Sequence, residues 1–277
     1  MSLSALSAQA VAAVPAASDS DGGATGHFPP SPESFWLPLF SVGPIEITRI
    51  MVIALISMLA LTAWVLWSTK NATVVPSKKQ WVTEQAYSFV RGGIAEDSIG
   101  SREFIKYVPL LFSLFLFILL NNLMGIIPPF QIPTMSRIGF PIALTLIVYV
   151  VYHWIGIKKH GGFAGYIKWM IPPGIPGWLL PLIAFLEIMT FFITRPLTLA
   201  LRLFGNMFAG HMLLLVFIVG GVELFLADSI ALKLVAIPAW LMAVVMTAFE
   251  GLIQFLQAYV FTLLAASYIG GALADDH

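Results

Sequence analysis

The sequence lacks cysteine and is poor in charge. Without cysteine, disulfide bonds, zinc–thiolate sites and thiol chemistry are excluded. Charged residues make up only 10% of the 277 residues, whereas a water-soluble domain usually carries about 25%. The 14 basic and 14 acidic residues cancel, so no basic excess is available to neutralise the phosphates of a nucleic acid. These absences exclude an ordinary soluble domain and argue against a nucleic-acid partner.

Hydrophobic residues, in contrast, account for 59% of the chain and occur in long runs with almost no charge. A helix needs about 20 apolar residues to cross a bilayer, and three runs of this kind lie near 47–69, 106–128 and 138–157. These runs do not alternate between polar and apolar residues as the strands of a membrane β-barrel do. We therefore predict an all-α polytopic membrane protein of about five to six helices. A further amphipathic segment over 81–105 is expected to lie on the membrane surface.

The last two apolar runs, near 178–220 and 232–271, are too long for simple spans. At ~1.5 Å per residue each would be roughly 60 Å long, twice the ~30 Å thickness of the hydrocarbon layer. We expect them to form a strongly tilted antiparallel hairpin of long helices, with Pro196 and Pro238 as candidate kinks.

The two ends of the chain and its basic loops predict an orientation. Residues 1–34 are read as a mobile tail, with a cleaved leader as the alternative, and residues 35–277 as a single membrane domain. Lysines follow the first and third spans, and basic loops favour the cytoplasm. The N-terminus is therefore expected outside the cell membrane and the C-terminus in the cytoplasm.

Several ionisable residues stand inside otherwise apolar runs. Such residues in a membrane span are functional candidates by default. The functional interpretation is strongest for Arg202, which has apolar neighbours on both sides, and it also leads for His211 and Glu250, for which the alternative is a buried neutral pair. For Glu187 and Arg195 the structural and functional interpretations are equally supported, because these two residues could pair or Arg195 could extend to the membrane surface.

Helical spacing relates these residues to one another. His211 comes nine residues after Arg202, which turns it to roughly the opposite side of a helix. A hairpin turn near residue 230 would bring three pairs of polar residues to equal heights: Arg202 with Gln257, Asn206 with Gln254, and His211 with Glu250. Chance could produce such stripes, but three matching pairs favour a built polar path.

The chemistry of the three ionisable groups differs. Arginine does not lose its proton in proteins, so Arg202 would be a fixed positive charge that attracts a carboxylate and repels protons. Histidine and glutamate can titrate, and when they share a site they titrate as a coupled pair. No carboxylate occurs near Arg202 on its own helix, which predicts a partner carboxylate on another subunit.

Three motifs give the chain a family resemblance. The segment 195–211, Arg-Pro-Leu-Thr-Leu-Ala-Leu-Arg-Leu-Phe-Gly-Asn-Met-Phe-Ala-Gly-His, resembles the signature helix of subunit a of the rotary F-type ATP synthases. The segment 257–261, Gln-Ala-Tyr-Val-Phe, is similar to the signature of that family's last helix, and Asn122-Leu123-Met124 is similar to a third motif. The resemblance covers roughly residues 35–273.

The resemblance implies a role for each matching residue. Arg202 matches the essential arginine that faces the rotating ring of c subunits and separates two half-channels, and Asn206 and Gln257 match its polar neighbours. His211 and Glu250 match a titratable pair in the outer half-channel. The remaining proton-path candidates are Asn122 as a channel-lining residue, Gln254 on the same polar face, and Glu187 near the cytoplasmic exit.

The resemblance also implies partners. The chain would be a proton-translocating stator subunit in a bacterial plasma or inner membrane, in contact with the c-ring, b-type peripheral stalk subunits and the remainder of the ATP synthase complex. We expect no cofactor and no metal. The sequence has no Gly-x-x-x-x-Gly-Lys-Ser/Thr loop, so nucleotide chemistry would take place on other subunits and this chain would not be an enzyme on its own.

A secondary transporter and an intramembrane enzyme are the alternatives to a stator subunit. An independent secondary transporter could use the proline- and glycine-rich segment 172–177 as a substrate site, but the sequence shows no internal repeat. An intramembrane enzyme would need a motif such as His-Glu-x-x-His or Gly-x-Ser-x-Gly, and neither occurs.

Overall fold

A computed structural model describes residues 38–42, 45–70, 72–100, 103–127, 133–171 and 176–274. The predicted tail 1–34 lies outside the described residues. The longer helices are numbered in chain order: α1 (Arg49–Thr69), α2 (Lys78–Val90), α3 (Val108–Leu123), α4 (Gly139–Lys159), α5 (Phe163–Met170), α6 (Leu180–Met189), α7 (Arg195–Leu226) and α8 (Ile230–Leu273). The predicted all-α polytopic architecture with a long C-terminal hairpin is thereby confirmed.

One element was not predicted from the sequence. Two short strands, β1 (Pro38–Val42) and β2 (Ile45–Thr48), pair in antiparallel fashion immediately before α1. The pairing brings Val42 beside Ile45, so the chain reverses direction just before it enters its first apolar helix.

Among the residues that the structure describes, four helical stretches are long and apolar enough to cross a membrane. They are Ile50–Thr69, Gly139–Lys159, Leu180–Leu226 and Ile230–Leu273, and the shorter apolar helix Val108–Leu123 accompanies them. The third stretch has 47 residues and the fourth 44, which at about 1.5 Å per residue exceeds twice the thickness of the hydrocarbon layer.

Helix α8 lies at the centre of the fold. It packs along α7 over much of its length and also contacts α3, α4 and the helical turn Asp97–Ile99. Between Ile230 and Phe249 only Ala236 and Ala243 are buried, whereas the half after Glu250 supplies most of the buried residues. Many of these are small, among them Ala258, Ala265, Ala266 and Gly270. Small side chains allow helix backbones to approach closely, which is how helices associate in lipid.

The helical turn before α7 is wider than a turn of α-helix. A proline in the first turn of α7 accounts for the difference. Residues Thr190–Thr194 form a π-helical segment that joins α6 to α7, and Pro196 follows one residue into α7. Proline has no N–H to donate and its ring crowds the preceding turn. In the π pattern the carbonyl of Phe191 would be paired with residue 196, which is that proline. The hydroxyl of Tyr152 on α4 donates to this carbonyl instead, at 2.8 Å.

The amphipathic region is a second interrupted helix. Helix α2 continues through a π-helical segment, Arg91–Glu96, and the turn Asp97–Ile99, and it ends at Gly100, whose φ of 63° is the left-handed conformation that glycine adopts easily. It packs against α1 and α3, with the Trp64 indole donating to the Thr83 hydroxyl at 3.2 Å. Val90, Ile94, Ala95 and Ile99 are buried in the main core.

Candidate functional site

Arg202 lies on the outer face of α7. Thr198, Arg202 and Asn206 are each one helical turn apart, and all three are exposed. In the part of the chain that the structure describes, the single ion pair joins Lys106 to Glu103. Arg202 therefore has no carboxylate partner there. Leu197 and Leu201, which are close to Arg202 in the sequence, are also exposed.

The opposite face of α7 packs into the bundle. Leu199, Leu203, Met207 and His211 follow one another at intervals of four and are all buried. The half-turn between Arg202 and His211 that the spacing implies thus corresponds to an outward arginine and an inward histidine. The thickness of one helix separates the fixed charge from the titratable ring.

Helix α8 presents a row of buried polar residues to the interior. Glu250 is 4% exposed, Gln254 is fully buried, and Gln257 is 6% exposed. The Gln254 amide Nε2 donates to Oε1 of Glu250 at 3.3 Å. From α3, the amide Nδ2 of Asn122 donates to the backbone carbonyl of Gln254 at 3.5 Å. These contacts connect Asn122, Gln254 and Glu250 in one buried polar chain.

This polar chain reaches α7 at Gly210. A methyl group placed at Gly210 would lie 3.8 Å from Cγ and 3.9 Å from Cδ of Glu250. These are ordinary van der Waals distances, so the Glu250 carboxyl group lies beside the α7 backbone at Gly210, the residue before His211. Further toward the hairpin turn, Gly221 similarly faces the indole of Trp240. Both contacts agree with a register that places His211 and Glu250 at equal heights.

Several buried oxygens in this cluster have no hydrogen-bond partner among the described residues. They are Oε2 of Glu250, Oε1 of Gln254, Oδ1 of Asn121, Oδ1 of Asn122 and Oγ1 of Thr134. A buried polar atom that makes no hydrogen bond costs about 1–3 kcal/mol, so an apolar interior would not gather five of them. Three of them belong to the chain formed by Asn122, Gln254 and Glu250, which therefore has acceptors for water or protons; other such atoms among the described residues lie outside it, on Thr145 and Tyr166.

Glu187 and Arg195 do not form the ion pair that was considered for them. The Arg195 guanidinium lies 3.6 Å from the centre of the Phe191 ring and 5.3 Å from that of Tyr268, a cation–π arrangement. Glu187 is half-buried on α6, a helix with no fully buried residue. Phe191 lies four residues before Arg195, a spacing at which side chains of a helix are neighbours, and Tyr268 approaches from α8.

Some buried polar residues of the bundle were not predicted from the sequence as site residues. Asn121 and Thr134 are fully buried close to Asn122, and Ser136 and His153 are buried as well. The His153 ring stacks on Phe192 at 4.7 Å. The adjacent asparagines in an apolar run were a visible signal for Asn121. Thr134 and Ser136 lie in a short turn whose contact with α7 only the folded chain reveals.

The described residues contain no group of three or more His, Cys, Asp or Glu side chains that could hold a metal ion. Of the segment 172–177, considered above as a transporter's substrate site, residues 172–175 lie outside the described residues.

The fold and these residues define a polytopic membrane protein in which an exposed arginine and a buried glutamate–histidine region occupy opposite sides of one long helix. Comparison with known proteins specifies the family. Residues 49–270 match the family described as ATP synthase A chain, and the chain belongs to that family.

Individual relatives agree with this assignment. The chain is 44% identical over 264 residues to ATP synthase subunit a of a Nocardioides species, a match that covers 91% of this chain and 95% of that protein. It is also 44% identical over 258 residues to the subunit a of Pseudarthrobacter chlorophenolicus, with 91% and 96% covered. With that of Streptomyces lividans the identity is 40% over 233 residues, with 82% and 80% covered.

Proposed function

We propose that this chain is the proton-translocating stator subunit of an ATP synthase. It provides two offset aqueous half-channels that load and unload the carboxylates of a rotating c-ring, and so couples proton flow to ATP synthesis. Its partners are the c-ring, b-type peripheral stalk subunits and the remainder of the complex. It binds no nucleotide and is not an enzyme on its own. Family membership and the names of its relatives support this role.

The observation that carries the proposal is the outward position of Arg202. An exposed guanidinium on a membrane helix, without an ion-pair partner among the described residues, is costly in lipid and calls for a carboxylate from a neighbouring protein. A ring carboxylate arriving at Arg202 would be held in its ionised form and would release its proton. Since arginine itself does not titrate, the same residue blocks direct passage of protons between the half-channels.

The buried polar chain supports a half-channel on the inner side of α7. Glu250 and Gln254 are linked by a hydrogen bond, Asn122 contacts the Gln254 backbone, and Glu250 lies against Gly210, next to His211. In our proposal protons enter from outside through these groups and protonate a ring carboxylate near the exposed Asn206. The neutral carboxyl group can then move into lipid without the cost of burying a charge.

The second half-channel is assigned to the other end of α7. Glu187 and Thr190 are half-buried and Thr194 and Thr198 are exposed along α6, the π-helical segment and the start of α7. This polar line leads away from Arg202 in the direction opposite to His211. We propose that it conducts released protons to the cytoplasm.

The proposed orientation places the N-terminus outside a bacterial plasma or inner membrane and the C-terminus in the cytoplasm, with residues 35–277 as a single membrane domain. Lysines near the ends of α1 and α4 support it. Each proton that crosses 100 mV in this direction supplies about 2.3 kcal/mol, so several must act together to drive one ATP.

The test uses the assembled complex in vesicles with an imposed proton gradient. We expect Arg202→Ala to abolish proton-driven ATP synthesis, whereas Leu201→Ala, one residue away and also exposed, should retain it. Subunit composition after purification shows whether both variants assemble. Coupled synthesis at the normal rate in Arg202→Ala would refute the role assigned to Arg202. Gradient-driven uptake of a solute by the isolated chain would support the secondary transporter instead.

A further inference from the structure

A large cavity opens at one end of the helical bundle, away from Arg202 and from the Glu250 cluster. Its volume is about 960 Å³, within the range of sites that hold small organic ligands. It lies where three elements meet: the segment that leads into α3, the last turns of α4 and the end of α8. The residues that line it are Glu103, Lys106, Tyr107, Val150, Val151, Trp154, Ile155, Lys158, Lys159 and Leu273.

One side of this cavity is positively charged. Lys158 and Lys159 end α4, and Lys106 lies in the short turn before α3. Lys106 is paired with Glu103 at 3.2 Å, and the Lys159 ammonium donates to the backbone carbonyl of Leu273. Of the described residues that line the cavity, three are lysines and one is a glutamate, and Lys158 is exposed at the end of α4.

The other side is an apolar wall on α4. Val150, Trp154 and Lys158 succeed one another at one-turn intervals, so a single helix face leads from hydrocarbon side chains to an ammonium group. Val150 is 55% exposed and Trp154 is 70% exposed. Tryptophan side chains are enriched where hydrocarbon meets the lipid headgroups, which places the lysines, one turn further on, at headgroup level.

We propose that this cavity binds one anionic phospholipid. Its phosphate lies among Lys106, Lys158 and Lys159, and an acyl chain follows Val150, Val151 and Trp154 toward the centre of the bilayer. Basic pockets between membrane helices recognise anionic headgroups in this way. A soluble phosphate compound would contact the lysines, but it has no apolar group that could cover the exposed apolar wall. The site depends neither on Arg202 nor on the half-channels.

The assembled complex, reconstituted into vesicles, allows a direct test. The vesicles contain a trace of phosphatidylglycerol with a photoactivatable acyl chain, or the same probe built on phosphatidylcholine. After illumination, chymotryptic peptides that cover α4 are quantified by mass spectrometry, because chymotrypsin cleavage does not depend on the lysines being replaced. We expect the phosphatidylglycerol probe to label the segment 150–155 in clear preference to the phosphatidylcholine probe.

Charge variants make the test specific. Lys158→Gln should lower the labelling by phosphatidylglycerol about fivefold, the contribution of one basic residue near an anionic lipid, and the combined Lys106→Gln/Lys158→Gln/Lys159→Gln change should lower it further. The matched control Lys70→Gln/Lys78→Gln/Lys168→Gln removes three exposed lysines elsewhere and should leave it unchanged. Glu103→Gln removes the one acidic group of the lining and should raise it.

Three outcomes would overturn the proposal. Equal labelling by the two probes would show that the wall contacts lipid without recognising charge. Equal labelling in Lys158→Gln and the wild type would exclude the lysines as the headgroup site. Loss of labelling on addition of inorganic phosphate at a concentration that leaves the vesicles intact would show that the lysines bind a soluble phosphate group. If the triple variant fails to assemble, Lys158→Gln and Glu103→Gln still shift the labelling in opposite directions.

Discussion

Gly270 marks the closest approach between α8 and the turn Asp97–Ile99. A methyl group at this position would overlap the backbone carbonyl oxygen of Ser98 and would lie 3.0 Å from the Cα of Ile99. Both neighbouring atoms belong to the backbone, so no flexible side chain can turn aside. We therefore expect Gly270→Ala to push the turn Asp97–Ile99 away from α8.

The size of the effect follows from the contact distances. Carbon atoms pack best at about 3.5–4.0 Å, so the turn would have to withdraw by about 0.5–1 Å, which forfeits a quarter to a half of the local dispersion energy. Buried Ile94, Ile99 and Ile269 would lose part of their contacts. Overpacking of this kind typically costs about 1–3 kcal/mol.

The neighbouring glycine supplies a matched control. Gly271 is exposed and has nothing within 4 Å of the position that a methyl group would take. Gly271→Ala gains the same helix propensity as Gly270→Ala, at most about 1 kcal/mol, without the overlap. The difference between the two variants therefore measures the close contact alone.

The assay is heat-induced release of the chain from the complex purified in detergent. We expect the midpoint for Gly270→Ala to lie about 2–12 °C below that for Gly271→Ala, from about 2–4 °C for each kcal/mol. Equal midpoints for the two variants would refute the close packing of α8 against the turn Asp97–Ile99.

Two further predictions concern α4 and the hairpin. Tyr152→Phe removes the hydrogen bond that the Tyr152 hydroxyl donates to the Phe191 carbonyl, so it should lower stability by about 0.5–1.5 kcal/mol; the same heat-release assay measures this, and an unchanged midpoint would contradict it. Because the chain contains no cysteine, pairs can be introduced directly: cysteines at Gly210 and Glu250 should cross-link readily, whereas cysteines at Gly210 and Trp240, about 15 Å apart along the helix, should not. The reverse pattern would mean that the hairpin register is wrong.

Much of the site's layout followed from helical spacing alone. Arg202 and His211 are nine residues apart, which already implies opposite faces, and the structure has one outside and the other inside. The direction in which α8 turns its polar face could not be predicted in this way. Gln254 and Gln257 share heights with Asn206 and Arg202, yet both are buried while their counterparts on α7 are exposed. Which face of α8 is covered depends on α3 and α4, which are distant in the sequence.

The sequence pattern also could not predict where the structure departs from regular helix. Pro196 indicated that the helix could not be regular, because proline has no N–H to donate and its ring crowds the preceding turn. Either a kink or a π-helical segment can accommodate such a proline. The segment Thr190–Thr194 takes the second form, and the Phe191 carbonyl accepts a hydrogen bond from Tyr152, a residue about forty positions earlier. The β-strand pair before α1 was not predicted, because strands of five and four residues are too short to produce a clear pattern in the sequence.

By itself, the sequence determined that this is a helical membrane protein with a long C-terminal hairpin. Runs of apolar residues can satisfy their backbone in lipid only as helices or as closed barrels, and the motif around Arg202 pointed to the family. Only the tertiary structure decided which polar groups meet, because contacts such as Asn122 with Gln254, or Gly270 with Ser98, join segments more than a hundred residues apart. Close packing of small residues on α8 creates those contacts, and that packing depends on shapes that the other helices supply.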